Sequence, residues 1–153
     1  MKEKFIEAHL KVAREYGKLS TATRLKVGCI IVKDDRIISI GYNGMPSGGS
    51  NVCEKDGKTK PEVLHAEANA ITKLAKSTES GQDSYMFCTA APCVDCAKLI
   101  VQSGIKEFHF EHRYKNNAGL DLIEKYSNIK IVKYTDYVSK NEGDYYDEAG
   151  SVG

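Results

Sequence analysis

Two short segments constrain the fold of this chain more than any other feature: His65-Ala66-Glu67 and Pro92-Cys93-Val94-Asp95-Cys96. Histidine nitrogen and cysteine sulfur are ligands that zinc prefers, and a catalytic zinc site takes three protein ligands and leaves one position for water. His65, Cys93 and Cys96 can supply those ligands, and Glu67 can act on the water beside them. Because a long stretch of chain separates the two segments, the fold has to bring two different elements together.

The spacing within each segment favours two helix starts. Cys93 and Cys96 are three residues apart, which places both sulfurs on one side of a helical turn, and Pro92 is typical of the position where a helix begins. A helix N-terminus also favours a thiolate over a thiol. His65 and Glu67 are two residues apart, roughly 200° around an ideal helix, so one can bind the ion while the other reaches its water.

A Cys-x-x-Cys pair has two other common uses, as a redox-active site and as half of a zinc ribbon. A ribbon needs a second close pair, whereas the other cysteines are scattered at Cys29, Cys53 and Cys88. A redox role usually comes with a thioredoxin-like order of elements, which the surrounding pattern does not show. The neighbouring Glu67 and Pro92 therefore favour a catalytic zinc site.

Composition limits the class of protein. With 153 residues, 41% of them hydrophobic and 28% charged, the chain is expected to form one domain, residues 1–153, with a hydrophobic core. A net charge of +1 argues against a nucleic-acid-binding face. The N-terminal pattern predicts neither a signal peptide nor a membrane anchor. Five cysteines, an odd number, predict a reducing compartment, so we expect a cytoplasmic protein.

Hydrophobic periodicity predicts elements in the order α-ββ-α-β-α-β-α-β. The predicted ranges are a helix over 2–17 that ends at Gly17, strands over 27–32 and 36–41, a helix over 65–76 and a strand over 84–88. They continue with a helix that begins at Pro92 and extends over 96–103, a strand over 107–111, a helix over 119–126 and a strand over 129–132. The polar, glycine-rich interval from Tyr42 to Leu64 is expected to be a long functional loop without regular structure. The tail from about residue 140 lacks an apolar period, which predicts disorder or a contact with a neighbouring subunit.

This order predicts an α/β fold with a mixed five-stranded sheet covered by helices. A helix separates strands four and five, so these two strands should run parallel. The candidate ligands then lie at the carboxyl end of a strand and at two helix starts, where open α/β sheets place their active sites.

The zinc residues resemble those of the cytidine deaminase superfamily, whose signature is His-x-Glu followed by Pro-Cys-x-x-Cys. Similarity to the deoxycytidylate (dCMP) deaminase family runs from about Phe5 to Tyr134. It is carried by three stretches: Gly41-Tyr42-Asn43-Gly44-Met45-Pro46-Ser47-Gly48, His65-Ala66-Glu67-Ala68-Asn69-Ala70-Ile71 and Pro92-Cys93-Val94-Asp95-Cys96-Ala97-Lys98-Leu99-Ile100. tRNA adenosine deaminases share the zinc motif but usually differ within and after the cysteine pair.

The resemblance implies a three-layer α/β/α cytidine deaminase-like fold and a hydrolase that converts dCMP to dUMP and ammonia, supplying the precursor of thymidylate. It implies that His65, Cys93 and Cys96 bind zinc and that Glu67 carries protons. Some members hold a second, structural zinc in the long loop, but this loop offers Cys53 and no histidine, so one zinc per subunit is expected. Members are commonly hexamers controlled by dCTP and by dTTP with Mg²⁺, which makes a homohexamer and those nucleotides the expected partners.

For the substrate, similarity to the family implies that Asn43 bonds the sugar hydroxyl, that the Ala66 N–H meets the base carbonyl and that the Ala91 carbonyl accepts from the exocyclic amine. Asn43 can equally be a turn residue. Many relatives carry serine where Ala91 stands, which leaves only a main-chain role there. The other candidates are charged and aromatic residues near strand ends: Arg24 and Lys26 for the phosphate, Tyr114 for the base or the phosphate, and Arg113 as a lesser phosphate candidate.

Other functions stay open at the level of sequence. Within the superfamily, the chain could also accept dCTP, or act on a nucleoside, guanine or tRNA adenosine. From a different class, it could be a zinc-stabilised binding module that has lost catalysis. Glu67 argues against the binding module, because a structural zinc site needs no such carboxylate.

Overall fold

The computed structural model describes residues 1–134. The elements in chain order are α1 (Glu3–Gly17), β1 (Gly28–Lys33), β2 (Arg36–Tyr42), β3 (Glu54–Lys55), β4 (Lys58–Thr59), α2 (Ala66–Leu74), β5 (Tyr85–Ala90), α3 (Val94–Gln102), β6 (Glu107–His112), α4 (Ala118–Tyr126) and β7 (Lys130–Lys133). Apart from β3 and β4, these are the predicted elements in the predicted order. Within residues 1–134, every helix is too short or too polar to cross a lipid bilayer. The prediction for the tail from about residue 140 lies outside the described residues.

Five strands form a mixed sheet in the order β2-β1-β5-β6-β7. β1 is antiparallel to both β2 and β5, whereas β6 is parallel to both β5 and β7. The prediction that the fourth and fifth strands of the sheet run parallel is confirmed, because these are β6 and β7, with α4 as the crossover between them.

Helices cover both faces of the sheet, as successive side chains of β1 show. Ile30 and Val32 pack with Leu10 of α1 in one apolar cluster, whereas Cys29 and Ile31 pack with residues of α2 and α3 in another. All four β1 side chains are fully buried, which explains why the strand is an uninterrupted apolar run. The predicted three-layer α/β/α arrangement is therefore confirmed.

The long polar interval contains a small hairpin, so the prediction of a loop without regular structure from Tyr42 to Leu64 is wrong in part. Strands β3 and β4 pair antiparallel within it. Asp56 and Gly57 form the turn, with φ angles of 54° and 76°, the geometry of a tight two-residue hairpin turn. Strands of two residues produce no alternating apolar pattern, and periodicity therefore missed them.

Gly17 does not cap α1 in the way that was predicted. The cap is Lys18, in ordinary right-handed helical geometry, and Gly17 is the last helical residue. A Cβ on Gly17 would lie 2.8 Å from the Gly28 nitrogen, and a Cβ on Gly28 would collide with the Ala13 carbonyl oxygen. Both glycines are required because α1 and β1 approach each other closely.

Candidate metal and catalytic site

The candidate ligands come from two helix N-termini that meet beside the carboxyl end of β5. His65 is the N-cap of α2, and Cys93 is the N-cap of α3. Cys96 lies in the first turn of α3, and its N–H donates to the Cys93 sulfur at 3.5 Å. The sulfur thus takes the capping position that a side-chain oxygen usually occupies. Because only three residues separate Ala90 from α3, the end of β5 fixes where both cysteines lie.

The three candidate ligand atoms lie at the separations that a tetrahedral zinc ion needs. His65 Nδ1 is 3.4 Å from Cys93 Sγ and 3.4 Å from Cys96 Sγ, and all three atoms lie within 4.8 Å of one another. Bonds of about 2.0–2.1 Å from zinc to nitrogen and about 2.3 Å to sulfur place such atoms roughly 3.5 Å apart in a tetrahedron. The donor set therefore fits one zinc ion and leaves a fourth coordination position.

Shared protons keep negative charge on sulfur in this cluster. Hydrogen bonds with the Cys96 thiol and with His65 lower the pKa of Cys93 to about 4, while the proton shared with Cys93 raises the pKa of the Cys96 thiol. The hydrogen bond with Cys93 also raises the pKa of His65. The positive ends of two helices favour the thiolate as well. A bound cation would take the place of these protons, which makes zinc affinity rise with pH.

Glu67 is the buried carboxyl next to these ligands. It lies in the first turn of α2 and is only 4% exposed. Burial raises the pKa of its carboxyl above the usual value, and the positive charge of His65 opposes that shift. A raised pKa makes the carboxylate a stronger proton acceptor than an exposed one, which suits a group in acid–base catalysis.

A partly open cavity lies at this cluster. Its lining residues are Leu25, Val27, Asn43, His65, Ala66, Glu67, Ala90, Ala91, Cys93 and Tyr114. Four predicted substrate-binding residues are therefore at the cavity: Asn43, Ala66, Ala91 and Tyr114. Apolar walls with a few convergent polar groups are typical of a small-molecule site.

Asn43 is almost fully buried and bonds to the main chain of a distant segment. Its Nδ2 donates to the Leu25 carbonyl oxygen at 2.6 Å, and its Oδ1 accepts from the Val27 N–H at 2.8 Å. An asparagine amide has two N–H donors and two acceptor sites, so each end retains capacity for one more bond. Asn43 can therefore shape the cavity wall and also bind a hydroxyl, which a simple turn residue would not do.

Of the predicted phosphate candidates, Tyr114 lines the cavity, whereas the three charged ones, Arg24, Lys26 and Arg113, lie outside its lining. Arg24 is half-buried and Lys26 is exposed, and these two residues flank the lining residue Leu25. Arg113 is exposed, donates to Asn117 Oδ1 at 3.4 Å and lines a separate groove against α4. All three residues are next to a lining residue in the sequence, Arg24 and Lys26 next to Leu25 and Arg113 next to Tyr114, but Arg113 also lines the separate groove.

Sequence analysis missed three lining residues, Leu25, Val27 and Ala90. Leu25 and Val27 alternate with the charged Lys26 just before β1, and this alternation is the signal that could have identified them. Ala90 ends β5 two residues before Pro92, so the rule that ligands bind at the carboxyl ends of strands pointed to it.

Two helix N-termini that bring a histidine, two cysteines and a buried glutamate to the edge of a mixed sheet are typical of zinc-dependent deaminases. Residues 1–112 match the family model for the cytidine and deoxycytidylate deaminase zinc-binding region. The chain therefore belongs to the cytidine and deoxycytidylate deaminase family.

Individual relatives agree with this membership. Deoxycytidylate deaminase of Enterobacteria phage T4 is 32% identical over 165 residues, which cover 80% of this chain and 86% of the relative. Deoxycytidylate deaminase of Homo sapiens is 42% identical over 121 residues, 73% of this chain and 67% of the relative. The crystal structure of dCMP deaminase from the cyanophage S-TIM5, in complex with dCMP and dUMP, is 42% identical with a TM-score of 0.84, covering 87% of this chain and 98% of that one.

Proposed function

We propose that the protein is a zinc-dependent hydrolase that converts dCMP to dUMP and ammonia. The observation that carries this proposal is that His65, Cys93 and the buried Glu67 line one cavity, with Cys96 beside them as the third candidate zinc ligand. Relatives named deoxycytidylate deaminase support the choice of substrate. So does the similar phage enzyme, whose crystal contains dCMP and dUMP.

Proton transfer is the task that we assign to Glu67. Zinc held by His65, Cys93 and Cys96 would supply Lewis acidity, which lowers the pKa of water from about 15.7 to about 7. Glu67 would accept a proton from water and donate it to N3 of the cytosine ring as the water oxygen bonds to C4. It would then take the proton of the new C4 hydroxyl and give it to the exocyclic amine, so that the C4–N bond breaks, ammonia leaves and the C4 carbonyl of dUMP forms. Burial and a raised pKa suit a carboxyl that gains and loses a proton in each cycle.

Recognition of the nucleoside would depend on three groups that line the cavity. In this proposal Asn43 bonds the sugar hydroxyl, the Ala66 N–H bonds the base carbonyl, and the Ala91 carbonyl accepts from the exocyclic amine. Ala66 is in the first turn of α2, where N–H groups have no intrahelical acceptor. The Ala91 N–H donates to the His112 carbonyl oxygen at 2.8 Å, which attaches the main chain at Ala91 to the end of β6.

For the rest of the nucleotide, we assign base packing to Tyr114 and phosphate binding to Arg24 and Lys26. Tyr114 lines the cavity, and the two cations flank the lining residue Leu25. Arg113 is a weaker phosphate candidate because it lines a different groove.

The proposal extends to the assembly and its control. We propose one zinc per subunit, since His65, Cys93 and Cys96 are the one group of potential metal ligands found within residues 1–134. Resemblance to the family supports the other features: a single domain over residues 1–153, a cytoplasmic homohexamer, and control by dCTP and by dTTP with Mg²⁺.

Ammonia release from dCMP, dCTP, deoxycytidine, CMP and a tRNA anticodon stem tests the reaction. We expect dCMP to be the fastest substrate. Equal turnover of dCTP would identify a bifunctional deaminase instead. If a zinc-loaded protein releases no ammonia from any of the five, the proposed function is wrong, and a guanine deaminase or a zinc-stabilised binding module is left.

The variant Glu67→Gln tests the proton carrier, because it keeps the size of the side chain and removes its acid–base function. We expect zinc content to stay at one per chain and turnover of dCMP to fall by roughly 10²–10⁴-fold. Metal analysis and ammonia release measure the two quantities. Glu62→Gln, at an exposed glutamate, is the control. Turnover above a few per cent of the wild-type rate would contradict the role of Glu67.

A further inference from the structure

Residues 18–27 join α1 to β1 and form part of the cavity wall through Leu25 and Val27. Because this segment is a connection, side chains from other parts of the chain have to hold it in place. Asn43 does so on one side, through the Leu25 carbonyl and the Val27 N–H. A second set of bonds comes from residues 51–54, where β3 begins.

Glu54 makes the central contacts of this second set. Its Oε1 accepts from two consecutive main-chain N–H groups, those of Thr23 at 2.6 Å and Arg24 at 3.3 Å. Consecutive N–H groups that converge on one anionic oxygen are a recurring anion-binding arrangement, and bonds to a charged acceptor are stronger than neutral ones. Glu54 is half-buried, so water screens these bonds only in part.

Thr21 provides a further attachment between the same two segments. Its hydroxyl donates to the Asn51 carbonyl oxygen at 2.6 Å and lies 3.4 Å from the Cys53 sulfur. Cys53 is 1% exposed, and its carbonyl oxygen accepts from the Lys60 N–H at 2.8 Å. This last bond ties the attachment to the residue that follows β4, so the small hairpin supports it from both strands.

We propose that Glu54 is a positioning residue for substrate binding. By fixing the main chain at Thr23 and Arg24, it sets the position of Leu25 in the cavity wall and of the neighbouring cation. This inference rests on the proposed function, deamination of dCMP. Glu54 acts through the main chain and not on the reacting atoms, so binding of the nucleotide should depend on it while the chemical step should not.

The variant Glu54→Ala removes the acceptor. We expect the KM for dCMP to rise about tenfold and kcat to change by less than about twofold, with zinc content unchanged. Glu54→Gln keeps an oxygen at the same distance from the main chain and should restore most of the wild-type KM. Glu62→Ala, at an exposed glutamate of the same interval, is the matched control and should leave both constants unchanged.

Three results would overturn the proposal. A lower KM in Glu54→Ala would show that the carboxylate competes with the substrate phosphate for the same N–H groups. An unchanged KM would show that the contact does not position the wall. A fall in kcat with zinc retained would show that Glu54 acts on the chemical step.

Two further measurements keep the test decisive. If Glu54→Ala does not fold, as judged by circular dichroism, Glu54→Asp is used, and its shorter side chain should give a KM above that of Glu54→Gln. If the wild-type protein releases no ammonia from dCMP, the proposed function fails. Calorimetric titration of dCMP into wild type and Glu54→Ala then tests the positioning role by itself, with tenfold weaker binding to the variant expected and equal binding contradicting it.

Discussion

The candidate zinc centre and the cavity wall formed by residues 18–27 are built in different ways. The ligands and Glu67 lie at the starts of α2 and α3, where the carbonyl oxygens of His65 and Cys93 accept the first helical hydrogen bonds. The wall is a connection whose position depends on side chains from elsewhere, Asn43 and Glu54. Catalytic groups need positions accurate to about 0.5 Å, whereas binding loops are carried on a scaffold and vary more. Substitutions in the centre should therefore remove metal or turnover, and substitutions that affect the wall should change KM.

The largest expected effect comes from removing a ligand from the candidate zinc centre. Cys93→Ala deletes a sulfur that lies 3.4 Å from His65 Nδ1. We expect zinc content to fall from one per chain to near zero and ammonia release to be lost, because two protein ligands hold zinc poorly. Metal analysis after gel filtration measures the zinc content.

Cys53→Ala is the matched control for the lost ligand, since Cys53 is a buried cysteine outside the ligand set. Full zinc content is expected in this variant. A Cys93→Ala protein that still binds one zinc per chain would remove the basis for treating the two regions as different. Zinc loss in Cys53→Ala would point to a second site in the long interval.

A smaller effect is expected where the wall is held. Asn43→Ala leaves the Leu25 carbonyl and the Val27 N–H without their side-chain partner. We expect the free energy of unfolding to fall by about 1–3 kcal/mol and the KM for dCMP to rise, with zinc content unchanged. Urea denaturation and steady-state kinetics measure both effects. A variant with lowered kcat and unchanged KM would show that the wall and the centre are not separable.

The smallest effect concerns His112, at the end of β6 and outside the cavity lining. Burial, together with the charges of Arg14 and Lys133, lowers the pKa of His112 to about 4. An unfolded histidine has a pKa of about 6.5, so the unfolded chain binds more protons between these two values. Stability that is present above about pH 6.5 is therefore lost as the pH falls towards about 4.

His112→Gln should reduce this acid loss of stability by about 1 kcal/mol at about pH 5, as measured by urea denaturation at pH 5 and pH 7. Both proteins contain the same zinc ligands, so effects of pH on zinc binding are equal in the two. The difference between their losses of unfolding free energy therefore comes from His112. Kinetic constants at neutral pH should stay the same. Equal loss of stability in both proteins would show that His112 is not the titrating group.

The two regions also differ in how far the sequence predicts them. Spacing within two short segments was enough to identify His65, Glu67, Cys93 and Cys96 as candidates, because ligand chemistry restricts both residue type and separation. The parallel pairing of β6 and β7 followed from the helix between them. These predictions need only the local sequence pattern and the rule that two strands joined by a helix run parallel.

The wall could not be predicted in this way. The bonds of Glu54 to Thr23 and of Asn43 to Leu25 join residues 31 and 18 positions apart, and neither pair belongs to a periodic pattern. The turn at Asp56 and Gly57 was a readable hairpin signal, but the polar composition of the surrounding interval outweighed it. Contacts of this kind form between loops that come close together only once the sheet has folded.

The close contact between α1 and β1 affects the cavity as well as the packing of the core. Gly28 lies under Ala13 of α1 with no room for a methyl group, and its N–H donates to Thr89 Oγ1 of β5 at 3.1 Å. Val27, the residue before β1, and Ala90, the last residue of β5, line the cavity. The width of the cavity is thus set partly from the far side of the sheet, where a missing side chain lets the first helix rest directly against the backbone of β1.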